Sequence, residues 1–102
     1  MSDIDNNVKK VEIWKWSNPT IVREMADKYL GKDYPVYLSS RIDKKYMIET
    51  PDGKLVHFGQ MHYLDYTKHQ DKQRRDLFRK RNHNWANAEK YSPAWLSYYL
   101  LW

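Results

Sequence analysis

The side chains most able to do chemistry gather between Lys68 and Arg81. Lys68, Lys72, Arg74, Arg75, Arg79, Lys80 and Arg81 are opposed there only by Asp71 and Asp76. A run of this kind neutralises phosphates, with an affinity that falls steeply as salt rises. It can equally grip carboxylates on an acidic protein, since arginine is enriched among interface anchors. A third account is a solvated helix face, with Asp71–Arg75 and Asp76–Lys80 as pairs one helical turn apart. No zinc-finger, helix-turn-helix or RNA-binding-sheet pattern accompanies the run. The candidate basic partner-binding face is therefore Arg74, Arg75, Arg79, Lys80 and Arg81.

Catalytic and metal chemistry find less support. His57, His62, His69 and His83 form no HxxxH or HExxH spacing, and the chain has no cysteine, so no standard zinc set arises. Asn82-His83-Asn84 superficially suggests a His-Asn-His nuclease, but the helix–loop context does not offer the metal-binding ββα arrangement that fold needs. Three scattered glycines make no phosphate-cradling loop, and nothing in the order of residues assembles a Ser/His/Asp set. The expectation is a protein without catalytic residues, metal, cofactor or small-molecule substrate.

The second candidate surface is aromatic. Trp95, Tyr98, Tyr99 and Trp102 recur at i, i+3, i+4 and i+7 after the helix-starting pair Ser92-Pro93, with Leu96, Leu100 and Leu101 on the other side. A terminal helix apolar all round must be covered on all sides, so the stripe is a candidate partner-binding anchor.

These residues must be positioned by a small scaffold. With 102 residues, 41% apolar and 30% charged, the chain has the size and composition of a single domain, 1–102, that closes a modest core. No apolar run approaches the ~20 residues that span a bilayer, so no membrane partner is expected. The net charge of +5 is uneven: residues 51–102 carry nine Lys/Arg against five Asp/Glu, whereas residues 1–50 carry nine against eight. The basic surplus belongs to the half that holds the candidate faces. Aromatic residues reach 16%, with five Trp and nine Tyr, more than a core of this size needs.

In chain order, residues 1–8 read as a flexible polar arm. Residues 11–16 (VEIWKW) are rich in strand formers and suggest a short strand. Ser17 or Asn18 caps a helix that starts at Pro19 and stops at Gly31, with Ile21, Val22, Met25, Tyr29 and Leu30 on its inner face. Residues 35–40, 45–50 and 54–58 form an antiparallel meander, the last two joined through the Pro51-Asp52-Gly53 turn, and Gly59 releases the chain into a loop. Asp71 caps the basic helix, and the aromatic helix closes the chain. The fold class is α+β: a three- or four-stranded antiparallel meander with a packed helix and two C-terminal helices, one basic and one aromatic.

The pattern His57-Phe58-Gly59, Tyr63, Asp65-Tyr66-Thr67, His69, Asp71, Arg74-Arg75 and Arg81, closing on Tyr99-Leu100-Leu101-Trp102, resembles small basic proteins of tailed bacteriophages and large DNA viruses. The resemblance covers about residues 53–102. Asn82 separates Arg81 from His83, and residues 84–91 replace the usual glycine-rich link, so the geometry there departs from the pattern. Composition is similar to that of gut phages of the crAss-like group. The resemblance implies a minor virion structural protein, assembled in the host cytoplasm, that bridges capsid and portal proteins at the vertex in a multi-copy ring. The alternative is a basic viral protein that binds or packages nucleic acid.

Overall fold

The computed structural model describes residues 6–102. The first five residues of the expected arm lie outside the described residues. From Asn6 the chain is already helical: α1 (Asn6–Glu12) runs into a 3₁₀ turn (Ile13–Lys15). This corrects the strand expected over residues 11–16. The inward positions are Lys9, Glu12, Ile13, Trp16 and Ser17, a helical rather than alternating period. What obscured it is Lys9, a residue type almost never buried without partners. Its ammonium donates to the carbonyls of Ser39 (2.7 Å), Arg41 (2.8 Å) and Lys44 (2.7 Å), tying α1 to the loop that follows the first strand. Burial holds the Lys9 pKa below its ordinary value, with Asp43 opposing.

The second helix, α2 (Pro19–Tyr29), follows the expected signals. The Asn18 side chain accepts from the backbone N–H groups of Thr20 and Ile21, proline occupies the first turn, and Val22 and Ala26 enter the core. Three antiparallel strands form one sheet in the order β1 (Tyr37–Leu38), β2 (Lys44–Glu49), β3 (Leu55–Gln60). Tyr37 pairs with Met47, and Tyr46 with Phe58. The first strand is shorter than expected: past Leu38 the Ser39 N–H still meets the Lys45 carbonyl, but the Ser39 carbonyl turns to Lys9. The third runs on through Gly59 to Gln60 instead of ending before it. Gly59 has φ +79°, and a Cβ there would lie 2.9 Å from the Leu101 Cδ1 and 3.2 Å from the Lys45 side chain. Only glycine lets β3 pass this close beneath the C-terminal turn.

A short helix α3 (Tyr66–His69) leads to α4 (Lys72–Arg81), a 3₁₀ turn (His83–Asn87), and α5 (Pro93–Leu96). The last helix continues as a π-helical turn over Ser97–Leu101. Leu96, Leu100 and Leu101 join Ile13, Val22, Ile48 and Phe58 in the core. The fold is α+β with C-terminal helices, and the C-terminal one is the lid of the core.

A candidate basic–aromatic groove

Helix α4 is capped as its sequence requires: the Asp71 carboxylate accepts from the N–H groups of Gln73 (3.0 Å) and Arg74 (3.2 Å). The Asp71–Arg75 pair offered by the solvated-face account does not form, because the carboxylate is turned onto the helix end. Asp76 lies 3.8 Å from the Arg75 Nε, not with Lys80.

The five cations of the expected basic face divide three ways. Arg75 and Arg79, one turn apart, face the protein itself. The Arg75 guanidinium lies over the Tyr66 ring at 4.7 Å and the Arg79 guanidinium over Tyr98 at 5.6 Å. Arg79 also donates to the backbone carbonyl of Trp102 at 2.8 Å, holding down the end of the chain. Lys80 is exposed and stands outside the groove that Arg74 and Arg81 rim. Arg74 and Arg81 are exposed, lie two turns apart on one side of α4, and rim a groove of about 750 Å³ between α4, the start of β2, the end of β3 and the C-terminal turn. Leu77, 56% exposed, sits between them on the helix.

The aromatic stripe is half-buried and engaged within the chain. Trp95 and Tyr99 pack on Tyr29 of α2, with ring centroids 6.5 and 4.9 Å away, and the Tyr99 hydroxyl donates to the Ala86 carbonyl. Tyr98 lies beneath Arg79. Trp102 stacks on Phe78 of α4 with centroids 4.2 Å apart and planes within 5°, and Trp85 meets the same Phe78 edge-on at 5.7 Å. The stripe therefore fastens the two C-terminal helices to each other and to α2. Phe78, Trp85 and Trp102 also form the aromatic side of the groove. Tyr63, 67% exposed at the rim, is a groove residue that the sequence pattern did not single out for this role.

Behind the groove lies a buried polar chain. Lys45 Nζ is 3.1 Å from the Asp65 Oδ2 and donates also to the Tyr63 carbonyl. The other Asp65 oxygen accepts from the Thr67 hydroxyl, which in turn meets Ser17 at 3.1 Å. The Tyr46 hydroxyl closes the chain on Ser17 at 2.7 Å. Burial pushes the Lys45 pKa down and Asp65 acts against it; burial pushes the Tyr46 pKa well up. Every polar atom here has a partner, so the network sets where the 61–67 segment lies beside the groove.

Residues 34–82 match the model of a family of unknown function (DUF5754). That span runs from the approach to β1 to the end of α4 and includes Lys45, Tyr63, Asp65, Arg74 and Arg81. It leaves out α1, α2 and the C-terminal lid. Neither the curated proteins nor the solved structures contain a match.

The four histidines are dispersed, and among the described residues no three His, Asp or Glu side chains gather to hold a metal. His57 Nδ1 lies 2.7 Å from the Ser39 hydroxyl. His69 Nδ1 accepts the Asp71 N–H at 2.9 Å, which places the proton of the neutral ring on Nε2, beside Trp102. Burial holds both imidazole pKa values below the ordinary range, helped by Arg41 at His57 and by Arg74 at His69. No helix among the described residues is long and apolar enough to cross a membrane.

Proposed function

We propose that this chain is a non-enzymatic docking protein whose α4 groove grips an acidic segment of a partner protein. In the setting that the viral resemblance implies, the partners are capsid or portal subunits and the chain is a minor virion component. The supporting observation is the combination of cations and rings in the groove. Arg74 and Arg81 are paired with no carboxylate among the described residues, and no acidic side chain lines the groove. Its Trp85 and Trp102 rings are both already packed on Phe78. Such a wall offers apolar area but few free ring faces, which suits side chains of a peptide better than stacked bases.

Each exposed arginine–carboxylate contact contributes only about 0.2–1 kcal/mol. Useful affinity then comes from apolar area at Tyr63 and Leu77, and from many copies acting together in a ring. The test is to quantify the chain in purified particles before and after their DNA is emptied, alongside the Arg74→Glu/Arg81→Glu double variant. Retention of the wild type in emptied shells at a fixed low copy number, and loss of the variant, is the expected result. Release of the wild type in step with the DNA would replace docking with packaging. Its absence from particles would end the virion reading.

A further inference from the structure

A second groove, of about 520 Å³, lies away from α4, between α1 with its 3₁₀ turn, α2 and β1. Its floor is apolar, with Ile13, Val36 and Leu38, and two aromatic rings stand in it: Trp14, 44% exposed, and Tyr37, 51% exposed. Among the described residues neither ring is packed against another ring or covered by a cation. Lys10 of α1, four residues before Trp14 of the 3₁₀ turn, lines the groove, and so does Arg23 of α2. Neither cation is paired with a carboxylate among the described residues, and no acidic side chain lines the groove.

We propose that this groove binds single-stranded nucleic acid, with bases stacking on Trp14 and Tyr37 and phosphates held by Lys10 and Arg23. Free ring faces beside unpaired cations are what an unstacked strand recognises, because every base carries a π-face and every link a negative charge. A duplex keeps its bases stacked on each other and cannot use the rings. An acidic peptide engages chiefly the cations and a proline-rich peptide, which aromatic grooves also accept, chiefly the rings, whereas each nucleotide of a single strand brings both a base for a ring and a phosphate for a cation. In the α4 groove, by contrast, Trp85 and Trp102 are already packed on Phe78, and of its lining rings Tyr63 stands open at the rim. This inference stands apart from the docking reading and survives if that reading fails.

The experiment is fluorescence anisotropy of the full chain with a labelled oligothymidylate over a salt series. Removal of one stacking ring in Trp14→Ala or Tyr37→Ala should weaken binding about 5- to 100-fold, with the thermal midpoint nearly unmoved because both rings are half exposed. Trp14→Phe should recover most of the loss. Lys10→Gln and Arg23→Gln should each flatten the salt dependence by about one ion. Lys32→Gln, which removes a charge outside both grooves, should change nothing. Wild-type binding by Trp14→Ala and Tyr37→Ala would overturn the proposal, as would the lack of any binding at low salt. So would an equal loss in Lys32→Gln, which would reduce the interaction to unspecific charge. Trp14-dependent binding of a proline-rich or polyglutamate peptide that excludes the oligonucleotide would assign the groove to a protein instead.

Discussion

The two grooves use the same residue types to opposite ends. In the α4 groove, Trp85 and Trp102 close on Phe78, and the neighbouring Arg75 and Arg79 close on Tyr66 and Tyr98, so most aromatic surface works inside the fold. In the α1 groove, Trp14 and Tyr37 are set on backbone held elsewhere, by Lys9 and by the β1–β2 pairing, and their rings contribute little to the core. An aromatic–cation cluster is thus not one kind of feature. Where the rings face each other they fasten helices together; where they face solvent they are available to a ligand.

The comparison can be broken first at the back of the α4 groove. Asp65→Ala leaves Lys45 buried without its counter-charge and Thr67 without its acceptor, and should cost about 3–5 kcal/mol in urea unfolding. A cost below about 1 kcal/mol would show the network is not what holds this wall. The next contrast is between two tryptophans. Trp102→Ala removes the ring stacked on Phe78 and should cost about 2–4 kcal/mol, whereas Trp14→Ala should cost under about 1 kcal/mol. Equal costs would erase the distinction between engaged and free rings.

Gly59→Ala forces a side chain into the left-handed region against Leu101 and should cost about 1–3 kcal/mol, lowering the melting temperature. Gly53, whose Cβ position faces open space, should show only the smaller backbone part of that effect.

The smallest expected effect is on pH dependence. His57 and His69 have folded pKa values below 6.5, so the unfolded chain takes up protons first as pH falls. Their contribution is complete above about pH 6.5 and is lost as pH falls through the lower folded values. Thermal melts of the His57→Gln/His69→Gln variant should be flatter against pH than wild type as pH falls below about 6.5. The same slope in both would locate the protons elsewhere.

Much of this architecture was legible along the chain. Asn18-Pro19, Asp71 and Ser92-Pro93 announce three helices because capping is a local event, decided by a side chain and the N–H groups two or three residues away. The Pro51-Asp52-Gly53 turn with its two flanking strands is equally local. Residues 11–16 were not legible, since strand-forming side chains yielded to a tertiary contact. Lys9 gathers three carbonyls from residues 30 to 35 positions away, and only with Lys9 inward does the segment show a helical period. The two candidate faces were legible in composition but not in use. Spacing on α4 cannot tell Arg75 and Arg79, which fold back onto Tyr66 and Tyr98, from Arg74 and Arg81, which rim a groove.

By itself, then, the sequence determined the helix caps, the hairpin, the apolar faces and the basic surplus of the second half, all properties that depend on neighbours within a turn or two. The tertiary structure alone decided that VEIWKW winds helically, that β3 slides under Leu101 at Gly59, and which rings remain open. The reason is the same in each case: whether a ring or a guanidinium is free depends on what the rest of the chain brings against it.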